Sequence, residues 1–186
     1  MDLEKAHDHA LEITEAIVIN IRPEQLVLPT PCAEFDVRTL LRHMIAGNER
    51  FAAVARGEPI ESRLVLGTFL GDDAAPAYRA SAAEVSTAWH EPGVLERRVR
   101  LPIGEVPGDV ALAIHTVETI VHGWDLAKAT GQPTEIQPEL FAVAWEATRG
   151  VGDDLRGPGR PFGPAVPVPP TASDTDRLVA WLGRQP

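Results

Sequence analysis

His115, Glu118, His122 and Asp125 recur at steps of three and four through the stretch HTVETIVHGWDLAKATG, residues 115–131. At about 100° per residue they fall within roughly 80° of one another on a helical wheel. Ile114, Val117, Val121 and Trp124 form the adjoining stripe, so the ionisable line borders the face that enters a core. A buried carboxylate among imidazoles needs partners. Neutral imidazole and carboxylate both ligate a borderline divalent ion. Glu118 and His122 are one turn apart and can reach the same ion. The bland alternative is a solvated face, but such faces are usually Lys, Glu and Gln rather than His-Glu-His beside Trp. Asp125 has a plain role open as well, pairing with an arginine or capping a neighbouring segment.

A zinc-type site needs a third protein ligand, usually from another element. His43 and His7 compete for that place. His43 sits in TLLRHMIAG with Leu40, Ala46 and Gly47 as wheel neighbours, and the two small residues leave room for an ion. Its alternative is a core histidine bonded to a backbone carbonyl. His7 lies near the apolar stripe of the first helix but close to a fraying terminus and reads as a spectator, and His9 and His90 read as surface residues. His115 stands a full turn before Glu118, so it is expected to support the ligands rather than to join them. Cys32, the single cysteine, excludes an intrachain disulfide. It could be a reactive thiol near the site; the plainer reading is a small apolar filler in the turn before the second helix, with no cation beside it to lower its pKa. Arg97, Arg98 and Arg100 could bind an anion, although a solvated strand face explains them equally.

The elements that must position these residues are mainly helical. Leu3, Ala6, Ala10, Ile13, Ile17 and Ile21 mark a first amphipathic helix closed by Pro23. Asp36 caps a second, with Leu40, Leu41, Met44, Ile45, Phe51 and Val54 as its stripe and Gly57 as its stop. A third runs from Asp73 to His90, with Tyr78, Ala82, Val85 and Trp89 on one face. Val99, Leu101 and Ile103 alternate with polar residues or proline, the period of a strand. A fourth helix starts near Gly108 or Asp109 and stops at Gly131. A fifth starts at Pro138 and carries Leu140, Val143, Ala147 and Val151. Residues 157–186 form a Pro-rich tail that ends in a short helix. The expectation is an all-α four-helix bundle forming one domain over residues 1–186, with a short strand pair and a C-terminal helical extension.

Composition narrows the function. The 186 residues are 44% hydrophobic, enough for a core. The formal net charge of −10 argues against nucleic acid and anionic membranes, which call for clustered Lys and Arg. No transmembrane run or signal peptide is visible, so a cytoplasmic location is expected.

Three segments, TPCAEFDVRTLLRHMIAGNERFA, LPIGEVPGDVALAIHTVETIVHGWDLAKATGQ and FGPAVPVPPTASDTDRLVAWLGRQP, resemble in order an actinobacterial metal-binding family. That family belongs to the DinB-like superfamily and is related to the N-terminal domain of mycothiol-dependent maleylpyruvate isomerase. The most specific parts are the Thr-Pro-Cys turn leading to a helical His and the Glu-x-x-x-His-Gly-Trp-Asp-Leu-Ala segment. The resemblance implies an up-down-down-up DinB-like bundle with one divalent ion, Zn²⁺ or in substitution Ni²⁺, held by His43, Glu118 and His122. It further implies open ion positions and mycothiol as cosubstrate. Phe35 stands where relatives often carry Trp. The isomerase carries a separate C-terminal α/β domain, whereas here a Pro-rich tail follows, so maleylpyruvate isomerisation itself is not expected.

The resulting expectation is a metal-dependent enzyme of transferase or isomerase type that uses a low-molecular-weight thiol on an electrophilic substrate. His115 or Asp125 would orient ligands or move protons. The alternatives are a non-catalytic binding module and a metal-dependent hydrolase. The partners expected are the small-molecule thiol, its substrate and, at most, a second copy of the chain.

Overall fold

The computed structural model describes residues 1–33, 35–58, 73–102, 104–157 and 160–186. The elements are α1 (Leu3–Ile19), α2 (Val37–Arg56), α3 (Ala75–Trp89), β1 (Arg98–Leu101), β2 (Gly104–Pro107), α4 (Gly108–Thr130), α5 (Pro138–Thr148) and α6 (Asp174–Trp181).

Local chemistry sets the helix ends. The Asp36 carboxylate accepts from the Thr39 N–H at 2.7 Å and caps α2. Gly57 and Gly131 close α2 and α4 in the left-handed conformation, with φ of 73° and 72°. Asp73 stands one residue before the α3 N-cap, Ala74, and accepts from the Ala75 N–H, so that helix begins two residues later than the spacing suggested. Ile21 and Val151 fall outside the helices to which the periodicity assigned them: α1 stops at Ile19 and α5 at Thr148. In both cases an apolar residue continues the period while the backbone has already turned. Val99 and Leu101 are the buried residues of β1, as the alternation required. β1 pairs with β2 antiparallel, with Val99 opposite Val106. Ile103 lies outside the described residues.

Residue pairs between helices give the topology. Thr14 reaches Thr119, Gln25 reaches Thr130 and Gln132 reaches Ile17, so α1 and α4 run parallel. Asn48 meets Ser81 and Arg56 meets Glu84, so α2 and α3 run parallel. Asp8 meets Ser86 and Glu15 meets Arg79, so α1 opposes α3. His43 faces His122 while Asn48 meets His115, so α2 opposes α4. This is the up-down-down-up DinB-like bundle with a small strand pair and a C-terminal helical extension.

Leu40, Leu41, Tyr78, Val85, Trp89, Leu112 and Leu126 fill the space between the helices. A second cluster joins Ala6, Ala10, Val117 and Val121 to Leu140, Leu178 and Leu182, so that α5 and α6 cover the outer side of α1 and α4. Removing that much apolar surface from water is the main force holding the elements together. At Gly123 on α4 an added Cβ would stand 2.7 Å from Thr14 Oγ1, so glycine permits the close approach of α1 and α4 there.

Candidate functional site

Four segments converge on one end of the bundle. The first is the turn before α2. Thr30 Oγ1 bonds the Phe35 carbonyl at 2.8 Å and lies 3.1 Å from that of Cys32. Pro29 and Asp36 bridge across the turn. The closed turn sets the Phe35 ring over His43, with centroids 5.2 Å apart.

The second and third segments are α2 and α4. A cleft of about 230 Å³ opens between them, lined by His43, Gly47, Asn48, His115, Glu118 and His122 among others. A Cβ added at Gly47 would meet nothing within 4 Å, so the small residue keeps this wall open. The His43 and His122 rings meet edge to face at 5.1 Å. Burial holds the His43 imidazole down at about 4, and the neighbouring His122 and Arg50 push the same way. Burial also raises the Glu118 carboxyl, against the opposite pull of His122 and Arg50. Among the described residues neither the His43 ring nor the Glu118 carboxyl has a hydrogen-bonded protein partner.

The fourth segment is the C-terminal tail, which brings Arg184 to Asp125. Asp125 is fully buried. Its Oδ2 accepts from His122 Nδ1 at 3.0 Å and from Arg184 Nη2 at 3.1 Å. The arginine pairing foreseen for Asp125 is present, and the same carboxylate also orients a histidine of the site.

A polar chain runs inward from the cleft. Ser81 Oγ donates to the Tyr78 carbonyl and accepts from Asn48 Nδ2 at 3.0 Å. Asn48 Oδ1 then faces His115 Nε2 at 3.1 Å, and His115 Nδ1 lies 2.9 Å from His7 Nε2. An amide oxygen only accepts, so His115 carries its proton on Nε2 and His7 donates from its own Nε2. The Phe51 ring stacks on His115 at 4.3 Å. Burial holds His115 well below its ordinary value, and the neighbouring His7 and Arg50 add to it. His7 was expected to be a spectator near the terminus; it is 1% exposed and part of this chain. An imidazole facing another helix is buried however close it lies to a chain end.

Cys32 lies close to the site, the alternative left open for it beside that of a filler. Its sulfur and one ligand atom each of His122 and Asp125 all lie within 4.8 Å of one another. Among the described residues this is the group of three His, Cys, Asp or Glu side chains that meets that spacing. His9 and His90 sit at the surface as expected, against Gln137 and Asp8. Arg98 and Arg100 are exposed beside Glu105, while Arg97 donates to the Ala55 carbonyl.

Asn48, Ser81 and Arg184 were not anticipated. Asn48 lies five residues after His43, a spacing that could have placed it near the cleft. No local pattern points to Arg184. A larger groove of about 410 Å³ lies between α1, α4 and residues 133–137, but among the described residues its walls carry no His or Cys and only Glu135 as an acid. The titratable side chains gather at the smaller cleft.

Residues 7–127 match the family described as the mycothiol maleylpyruvate isomerase N-terminal domain, and the chain belongs to that family. Two uncharacterized proteins, from two strains of Mycobacterium tuberculosis, are each 38% identical to it, covering 99% of this chain and 98% of theirs. The crystal structure of the mycothiol-dependent maleylpyruvate isomerase superposes with a TM-score of 0.65 at 14% identity, covering 79% of this chain and 68% of that one. A histidine-to-alanine variant of that enzyme superposes with a TM-score of 0.63 at 13% identity, covering 77% and 68%. At such identity the superposition shows the shared fold.

Proposed function

We propose that this chain is a divalent-metal-dependent enzyme of transferase or isomerase type that uses a low-molecular-weight thiol such as mycothiol. The carrying observation is that the His43 ring and the Glu118 carboxyl line one cleft without hydrogen-bonded protein partners among the described residues, beside a His122 already oriented by Asp125. By the chemistry of its donors the set suits a cation, but the ligand atoms of His43, Glu118 and His122 do not all lie within 4.8 Å of one another, so an ion would have to draw them together. His43 is held neutral, so its lone pair is available. Burial disfavours an ionised Glu118, and a nearby dication would relieve that cost. His43, Glu118 and His122 would hold the ion, most simply Zn²⁺. When bound, such an ion lowers the pKa of a coordinated thiol and so supplies a nucleophile near neutral pH.

The chain's own residues do the rest. Asp125 fixes the His122 ring and leaves its Nε2 as the free nitrogen. Both ring nitrogens of His115 are taken by His7 and Asn48, so His115 holds the wall of the cleft in place. Gly47 leaves a way in for a thiol. Membership in a family described by a mycothiol enzyme supports the choice of thiol. The site is read as belonging to one domain over residues 1–186.

A second reading, a closed binding module, is favoured by the nearness of Cys32 to His122, which would supply a further ligand. Cobalt substitution separates the two. Under the enzyme reading, adding mycothiol near pH 8 produces a sulfur-to-cobalt charge-transfer band, and the Cys32→Ser variant produces it equally. A band present before any thiol is added and lost in Cys32→Ser selects the closed module. If carboxylate or phosphate alone perturbs the spectrum, a hydrolase moves ahead.

A further inference from the structure

We infer that Arg184 is a positioning residue for His122, acting from the C-terminal tail through Asp125. The inference rests on the reading of His122 as an ion ligand, but its deciding measurement needs no ion.

Asp125 is fully buried, and a carboxylate taken out of water needs charged or N–H partners. Arg184 supplies two donors, Nη2 at 3.1 Å from Oδ2 and Nε at 3.4 Å from Oδ1. A planar guanidinium that engages both oxygens fixes the plane of the carboxylate, which a single point charge does not. Oδ2 is thereby held 3.0 Å from His122 Nδ1. An ionised carboxylate accepts only, so Nδ1 carries the proton and the lone pair stays on Nε2. A histidine that ligates through Nε2 has to be in this tautomer.

Arg184 is itself held. Its backbone N–H bonds the Val179 carbonyl at 2.9 Å and its Nη1 the Leu182 carbonyl at 3.1 Å. Before it stands Gly183, with φ of 87° and no room for a Cβ, which would lie 2.6 Å from Gly163 Cα. Backbone packs on backbone there, so the direction in which Arg184 leaves α6 is fixed. The family match ends at residue 127, so the clamp comes from outside the matched segment.

The test uses the full chain, free of metal and labelled with ¹⁵N-histidine, near pH 7.5. Long-range ring spectra of the parent protein should place the His122 proton on Nδ1. In Arg184→Ala, His122 should become a mixture of the two tautomers, and Zn²⁺ affinity should fall about 10- to 100-fold, as for other changes behind a ligand. Arg184→Lys keeps the charge without the fork and should recover the parent pattern in part. If Arg184→Ala does not fold, Arg184→Gln carries the same reading. A folded variant with the parent tautomer overturns the inference, because a purely structural role for Arg184 predicts that result. If the parent binds no Zn²⁺, the metal reading fails while the tautomer still decides this inference.

Discussion

His7 Nε2 lies 2.9 Å from His115 Nδ1 inside the bundle, joining the first turns of α1 to the middle of α4. Burial is the main cause that holds His7 at about 4 and His115 well below its ordinary value, and His43 lies at about 4 for the same reason. An unfolded chain protonates these histidines near 6.5. Between about 6.5 and 4 the unfolded chain therefore binds more protons than the folded one. The metal-free protein should keep its full stability above 6.5 and lose it as pH falls through that window. The slope should reach up to about 1.4 kcal/mol per pH unit for each histidine. Glu118, raised by burial, works the other way, but one carboxyl faces three imidazoles. Urea titrations from pH 7.5 to 4.5 test this, and a flat profile would count against three neutral buried rings.

The ion reading makes a separate demand. The purified, untagged protein should carry about one divalent ion per chain, with Zn²⁺ favoured and Ni²⁺ as a substitute. His43→Ala and His122→Ala should lower Zn²⁺ affinity by more than the roughly 10- to 100-fold typical of an outer change. His90→Ala, at the surface beside Asp8, should leave it unchanged. Elemental analysis and competition titration measure both. Zinc content near zero that does not rise on adding Zn²⁺ removes the site.

His7 now belongs with stability. His7→Ala opens a void against His115 and leaves His115 Nδ1 without its donor. A cost of roughly 2–4 kcal/mol is expected from the cavity and the unsatisfied nitrogen together. Zn²⁺ affinity should change far less than in His43→Ala. Equal loss of metal from both would make His7 a ligand.

Gly183→Ala should be worse than an ordinary surface change. It forces a left-handed residue to carry a Cβ and drives that atom into Gly163. A destabilisation on the order of 2 kcal/mol is expected, together with a fall in Zn²⁺ affinity as Arg184 shifts. Thermal melts and the same metal titration check the two effects side by side.

The bundle was readable because periodicity, caps and glycine stops agree along α2 and α4. Asp36, Gly57 and Gly131 act locally, and local signals survive in one sequence. His43, Glu118 and His122 were legible as lining one cleft because His43 stands on the clearly amphipathic α2, while Glu118 and His122 stand one turn apart on α4. The place of His7 beside the apolar stripe agreed with its burial, but its partner His115 across the bundle is not encoded in any short spacing. Cys32 kept two readings because the place of a turn depends on the helices it sits against. Arg184 could not be read at all: its meeting with Asp125 depends on how α6 and the tail fold back, which no short spacing encodes.

Gly47 separates width of entry from cost of folding. A Cβ at that position meets nothing within 4 Å, and alanine in a helix interior is favoured over glycine by roughly 0.5–1 kcal/mol. A series Gly47→Ala, Gly47→Val and Gly47→Leu should therefore leave the bundle intact while narrowing the mouth step by step. Such a series serves as a ruler: the side chain at which a given molecule stops entering measures the girth of what the cleft admits, before any reaction is known.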